Sequence, residues 1–393
     1  MRILHCNATL HPSWGGPVEH LRQTAEAMAR LGHHAEFLSL DSPGDPCLRS
    51  WTHPVHAIGE GWTKYGFAPV SQWFRKNADR YDAVFVHTLW RHLGAGVREG
   101  VRGSGTPYFV KPHGGLNAWH RSERGGSLAK RTFKQAAWKL SEWKVVRDAE
   151  AMIFVCDEER RQAAASYRPY VPRREEVVTN GIGHPPSGAA AQAEAFFSAY
   201  PDLRGRDLLL FLGRLHPDKA CDNLLLGLSA AARGSGIHLV IAGPDVMGWL
   251  AELRRLAAKE GIEKQVTWAG SLEGDFKWAA IRAASALILP SHSEAMPYSI
   301  LEALSCSRPV LTTEKVGIVA DLREARCGFI AADTVEGAAE LIGSWASAGP
   351  EERRALSDRA YALFTDKYYI DTAMERQLKI VRESKPLVRS HSA

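Results

Sequence analysis

Short, nearly unbroken apolar runs recur along the chain and alternate with longer stretches of mixed polarity. In the first half they are Arg2 to Cys6, Glu36 to Leu40, Asp82 to His87, Tyr108 to Val110, Ala151 to Val155 and Val177 to Val178. In the second half they are Leu208 to Leu212, His238 to Ala242, Gln265 to Trp268, Ala286 to Leu289 and Pro309 to Leu311. Runs of this length, each followed by polar or glycine-rich sequence and then a helical pattern, predict parallel strands with covering helices. The fold class is therefore α/β, with two doubly wound domains. A helix is expected after the first strand, with Val18, Leu21, Ala25 and Met28 on its apolar face and Gly32 at its end.

A chain of 393 residues exceeds one ordinary core. Residues 1–182 form the first expected domain, 183–206 a linker and 207–367 the second domain. The linker runs through Gly183, Pro185, Pro186, Ser187 and Gly188 into an alanine-rich stretch with a short helix. A helical segment from Tyr361 to Arg382 carries Ile370, Ala373, Met374, Leu378 and Val381 on one face, so residues 368–393 are expected to pack back on the first domain.

Composition narrows the class. No apolar run approaches the roughly 18 residues needed to span a bilayer, and the first residues look like a strand, not a signal peptide. A cytoplasmic protein is the expectation. The six cysteines, at positions 6, 47, 156, 221, 306 and 327, lack CxxC spacing, which suggests neither a zinc site nor a disulfide framework. The net charge of +5 is uneven: residues 1–182 hold 25 Lys and Arg against 18 Asp and Glu, the remainder 24 against 26. The excess lies in residues 121–147, where Arg124, Lys130, Arg131, Lys134, Lys139 and Lys144 are interleaved with Phe133, Trp138 and Trp143. Such a segment either lies on an anionic membrane surface or packs its aromatics inward and solvates its lysines. Its confinement to one stretch argues against a nucleic-acid partner.

The candidate chemistry sits in loops that leave strands, because ligands of open α/β sheets bind beyond the carboxyl ends of the strands. After Ala286 to Leu289 comes Pro290-Ser291-His292-Ser293-Glu294-Ala295-Met296-Pro297-Tyr298-Ser299, then a helix containing Glu302. The first amides of that helix and its dipole favour an anion, and the two carboxylates can bracket a ligand with hydroxyls on both sides of a phosphate. After Leu208 to Leu212 comes Gly213-Arg214-Leu215-His216-Pro217-Asp218-Lys219. Its guanidinium and ammonium, five residues apart, suit a diphosphate. In the first half, Gly15-Gly16 precedes a helix and would let backbone amides approach a phosphate or sugar. The strand Tyr108 to Val110 leads into Lys111-Pro112-His113-Gly114, placing an imidazole at the sheet edge, and His87 ends another strand. Each histidine is either structural or a donor to a sugar hydroxyl.

Taken in order, Gly15 and Gly16, His113-Gly114, Asn180-Gly181, Gly213-Arg214 with Lys219, and Glu294 with Glu302 resemble the retaining GT-B glycosyltransferases of family 4, also called glycosyl transferases group 1. The resemblance covers nearly the whole chain. It implies two Rossmann-like domains facing across an interdomain cleft, the first binding the acceptor and the second a nucleotide-diphosphate sugar, UDP- or GDP-linked. By this resemblance Arg214 and Lys219 neutralise the diphosphate, Glu294 contacts donor-sugar hydroxyls and Glu302 holds the ribose. Gly213 and the amides around Met296, Pro297, Tyr298 and Ser299 line the donor site. Gly16 approaches the diphosphate from the other domain, and His113 sits by the donor sugar. No metal is implied, and the sequence has no Asp-x-Asp motif.

Several positions depart from the family pattern: Ser307 and Ala220 stand where glycine is usual, Ala295 follows Glu294, and Gly183 stands where aspartate is common. The expected reaction is glycosyl transfer with retention to a hydroxyl acceptor, a lipid-linked or surface-polysaccharide glycan, at the cytoplasmic face of the inner membrane. A nucleotide-sugar epimerase or hydrolase, and a non-catalytic nucleotide-sugar-binding subunit, are the alternatives. A phosphorylase would need a pyridoxal lysine and a longer chain.

Overall fold

The structure, a computed structural model, describes residues 1–12, 16–59, 68–87, 89–90, 92–116, 128–231 and 236–384. The chain divides into two compact units, Met1–Gly183 with Ile370–Ala393, and His184–Tyr369.

The first unit is built on a seven-stranded parallel sheet. Its strands are β1 (Arg2–Asn7), β2 (His34–Ser39), β3 (Val55–Ala57), β4 (Ala83–Val86), β5 (Tyr108–Val110), β6 (Ala151–Phe154) and β7 (Glu175–Val177), in the order β3-β2-β1-β4-β5-β6-β7. Every residue of β4, β5 and β6 is buried. Helices on both faces of a parallel sheet remove water from both, which explains why these strands read as continuous apolar runs. The C-terminal helix Ile370–Ser384 belongs to this unit and packs on helix Gly16–Arg30. Its apolar face, Ile370, Ala373, Met374, Leu378 and Val381, is buried. Arg30 grips Asp371 through Nε and Nη2 at 3.3 and 2.6 Å.

The second unit has a six-stranded parallel sheet of β8 (Asp207–Leu212), β9 (Ile237–Ala242), β10 (Val266–Gly270), β11 (Ala286–Leu289), β12 (Val310–Thr313) and β13 (Gly328–Ala331). The order is β10-β9-β8-β11-β12-β13. The stretch read from the sequence as a linker carries helix Ala189–Ala199, which packs on helix Gly274–Ala283 with the Phe196 and Phe276 rings 6.0 Å apart. From His184 onward these residues group with the second unit.

Both sheets reverse their winding beside their first strand. In the first unit the reversal lies between β1 and β4, and in the second between β8 and β11. Loops at such a switch point diverge and leave room for a ligand at the carboxyl edge.

Four of the six cysteines, Cys6, Cys156, Cys221 and Cys327, are buried, and none forms a disulfide. In the basic segment, residues 121–127 lie outside the described residues. Of its aromatics, Trp138 is fully buried, whereas Phe133 is 73% exposed. Trp138 therefore packs inward as the second reading expects, and Phe133 does not.

Candidate active site

In the second unit the loops after β8 and β11 meet at the switch point. β8 delivers Gly213, whose amide donates to Ala242 O at 2.9 Å, and Leu215 donates to Pro244 O at 2.9 Å. These bonds press the loop after β8 against the loop after β9 so closely that a Cβ on Gly243, at φ +149°, would overlap Gly213 O. Only glycine fits there. Arg214, next in the chain, is exposed and has no ion-pair partner among the described residues.

A single 3-10 turn, Pro217–Lys219, then turns the chain inward. His216 Nδ1 caps the turn by accepting from Asp218 N at 3.3 Å and lies 2.6 Å from Asp218 Oδ1. Ala220 closes it at φ +51°, a left-handed conformation usual for glycine. Lys219 is thereby buried, and its ammonium pairs with Glu294 Oε1, with Asp218 Oδ2 3.8 Å away.

Glu294 comes from the loop after β11, and backbone bonds on both sides hold that loop. His292 N donates to Asp218 O at 2.8 Å, Thr313 Oγ1 to Ser291 O at 2.6 Å, and Gly317 N to Glu294 O at 2.7 Å. Met296 is buried, and Pro297, whose side chain cannot accept a hydrogen bond, takes the N-cap of helix Tyr298–Ser305. Glu302, within that helix, pairs with Lys277 Nζ at 2.6 Å. The helix ends in a Schellman turn: Arg308 N donates to Ala303 O at 2.8 Å and Ser307 stands at φ +57°.

The structure thus joins Lys219 to Glu294, gives Glu302 a lysine that sequence reading did not single out, and leaves Arg214 as the exposed cation. This arrangement has chemical consequences. A diphosphate that drew on Lys219 would release Glu294 to accept from hydroxyls, so the ion pair stores one donor and one acceptor in register.

In the first unit β5 delivers Lys111-Pro112-His113-Gly114. His113 and Gly114 adopt consecutive positive φ angles, +47° and +77°. Such a conformation at a non-glycine residue persists only when its surroundings fix it. Here Glu159 Oε1 accepts from Gly114 N at 2.6 Å, its Oε2 accepts from Val155 N at 2.8 Å, and Trp90 Nε1 donates to Gly115 O at 3.0 Å. Burial raises the pKa of Glu159 against the pull of those two amides. Lys111 is buried and donates to Asn180 Oδ1 at 2.9 Å and Gln377 Oε1 at 3.0 Å, with its pKa pushed down to about 8 by burial. Asn180 of the Asn-Gly pair therefore anchors a lysine.

His113 Nε2 lies 2.9 Å from His87 Nδ1, and His87 Nε2 lies 2.9 Å from His5 Nδ1. Burial, with the charge of Lys111 nearby, pushes His5 and His113 down to about 3 and His87 well below its ordinary value. All three rings are neutral near pH 7. Histidines at the ends of β4 and β5 and within β1 were visible in the sequence; that these three strands are neighbours was not.

Gly16 opens helix Gly16–Arg30, and Gly15 lies outside the described residues.

Two α/β units, each a parallel sheet with helices, define the class, a GT-B-like fold. A model for "Glycosyl transferases group 1" matches residues 194–363, and one for "Glycosyl transferase 4-like domain" matches residues 15–181. The chain belongs to the group 1 glycosyltransferases. It is 28% identical over 256 residues to a D-inositol 3-phosphate glycosyltransferase of Mycolicibacterium paratuberculosis, a match spanning 62% of this chain and 56% of that protein. It is 31% identical to the enzyme of the same name from Mycobacterium tuberculosis over 53% of this chain and 42% of that one. The chain thus spans about half the length of these relatives. Among solved structures, Anabaena Alr3699/HepE in complex with UDP and glucose superposes with a TM-score of 0.76 at 16% identity, covering 98% of this chain and 100% of that one. WaaG, a glycosyltransferase involved in lipopolysaccharide biosynthesis, superposes at 0.66 and 17% identity over 96% and 99%.

Proposed function

We propose that the protein transfers a glycosyl group, with retention and without a metal, from a UDP- or GDP-sugar to a hydroxyl of a glycan or lipid-linked acceptor. The observation that carries this reading is the Lys219–Glu294 ion pair, which joins the loop holding exposed Arg214 to the loop that leads into helix Tyr298–Ser305. Arg214, Lys219 and the helix amides would neutralise the diphosphate as it departs, and Glu294 would hold sugar hydroxyls. Glu302, drawn from Lys277, would hold the ribose. Gly213 and residues Met296 to Ser299 would line the donor site, and Gly16 would approach the diphosphate. In the first unit His113 would donate to a substrate oxygen. Transfer follows a front-face course: the acceptor oxygen bonds to the anomeric carbon as the bond to phosphate breaks, and the acceptor proton passes to the departing phosphate oxygen.

The likeness to structures holding UDP, and to an enzyme of lipopolysaccharide biosynthesis, supports this donor and acceptor class. No helix among the described residues is long and apolar enough to cross a membrane. A peripheral contact through residues 121–147 with the anionic cytoplasmic face is part of the proposal. Its support is a strip of the described helix: Phe133 and Leu140, seven residues apart, are 73% and 74% exposed, with Lys134 and Lys139 beside them.

Thermal unfolding with UDP-, GDP- and ADP-sugars tests the donor. A ligand at 100 times its Kd stabilises by about 2.7 kcal/mol. A shift with one class is expected, and no shift with any of them overturns the assignment. Donor consumption without acceptor would favour an epimerase or hydrolase, and NMR of the product's anomeric proton reads retention directly.

A further inference from the structure

The three histidines of the first unit are linked in one line: His5 Nδ1 to His87 Nε2, then His87 Nδ1 to His113 Nε2, each at 2.9 Å. A neutral imidazole carries one N–H and one lone pair. Once one of these bonds has a direction, the other must follow it, so only two arrangements exist. In one, protons point from His113 toward His5, and His5 Nε2 ends the line as an N–H. In the other they point from His5 toward His113, and His5 Nε2 ends it as a lone pair.

The far end decides between them. His5 is fully buried, its ring stacked on Phe37 at 5.7 Å and Phe85 at 5.4 Å, and its Nε2 has no hydrogen-bond partner among the described residues. A buried N–H without an acceptor is a rarer and costlier defect than an unused lone pair. The line therefore runs from His5 to His113. His113 Nε2 accepts, its single proton sits on Nδ1, and Nδ1 has no partner among the described residues.

We propose that His5 and His87 are positioning residues that hold His113 as its Nδ1–H tautomer, so that it offers a hydrogen-bond donor, not a base, to a substrate oxygen. Protonating His87 or His113, each of which accepts through Nε2, would break the line. The ionisable groups that face it are Lys111, whose charge opposes protonation of all three rings, and His20 of helix Gly16–Arg30, its ring 6.4 Å from that of His113. Glu159, the nearby carboxylate, is engaged by the amides of Gly114 and Val155. The strained backbone at His113 fits this role, because it fixes where the Nδ1 edge points.

The kinetic part of the test rests on the glycosyl-transfer reading, and the spectroscopic part does not. The full chain, labelled with 15N-histidine, is examined by long-range 1H–15N correlation at pH 7.5. His113 is expected to show a protonated Nδ1 and an unprotonated Nε2. His87→Phe, which removes the bond to Nε2, should move His113 toward the Nε2–H form and lower kcat about tenfold with KM little changed, the weight of one hydrogen bond. His87→Gln can accept from His5 and donate to His113, and should restore both tautomer and kcat. A wild-type His113 protonated at Nε2, or a tautomer that His87→Phe leaves unmoved, overturns the proposal. If the Phe variant does not fold, the wild-type spectrum decides alone. The expected tautomer together with an unimpaired His113→Ala enzyme would uphold the histidine line and remove His113 from the proposed chemistry.

Discussion

Glu142 offers a test in which structure sets both sign and size. It ends a π-helical turn, Trp138–Glu142, where the wider coil directs its side chain into the core. The residue is 3% exposed, it accepts a hydrogen bond from the Trp90 amide, and its Oε2 has no partner among the described residues. Burial pushes its pKa from 4.5 up to about 7, against the pull of that one amide. Between these values the folded chain holds a proton that the unfolded chain has released, so stability falls as pH rises through the interval and is highest below 4.5. At about 1.4 kcal/mol per pH unit the loss amounts to about 3 kcal/mol at pH 8. Glu142→Gln keeps an acceptor for Trp90 and mimics the protonated acid. Thermal unfolding should find variant and wild type alike near pH 4 and the variant more stable by about 3 kcal/mol at pH 8, roughly 6–12 °C. A stability gap that stays constant from pH 4 to pH 8 would refute the reasoning.

Other outcomes follow from the same structure. Ser307 and Ala220 occupy left-handed backbone at φ +57° and +51°, which costs an L-residue about 1–2 kcal/mol. Ser307→Gly and Ala220→Gly should each stabilise by about 0.5–1 kcal/mol after glycine's greater freedom in the unfolded chain is deducted, read as a raised urea midpoint. Arg214→Ala and Lys219→Ala should each lower turnover by roughly 10² or more while the chain stays folded by circular dichroism. Phe133→Glu with Leu140→Glu should weaken sedimentation with phosphatidylserine vesicles and leave binding to neutral vesicles as it was; equal binding before and after would exclude that face.

What the sequence revealed, and what it hid, divides along chain distance. β8, β9 and β11 were legible because burial on both faces writes them as unbroken apolar runs. The edge strands β3 and β13 escaped notice: Val55-His56-Ala57 is three residues with a polar centre, and Gly328–Ala331 starts with glycine and is only partly buried. The strand–loop–helix units holding Gly213 to Lys219 and Glu294 to Glu302 were legible because each is local. The partners that hold those residues come from afar. Lys277 reaches Glu302 from another helix, Glu159 braces Gly114 from 45 residues away, and Gly243 makes room for Gly213 from the next strand. A lone His113 could be read either way in the sequence. Only the adjacency of β1, β4 and β5 turns it into the end of a line of three rings.

The central claim is that Glu294, released from Lys219, serves the sugar that is transferred. The most direct measurement is nucleoside diphosphate release from the donor that stabilises the protein, with and without a glycan acceptor, in wild type and Glu294→Ala. The account predicts acceptor-dependent release in the wild type and a loss of roughly 10² or more in the folded variant. Release at the wild-type rate from Glu294→Ala, or a rate indifferent to acceptor, would contradict it.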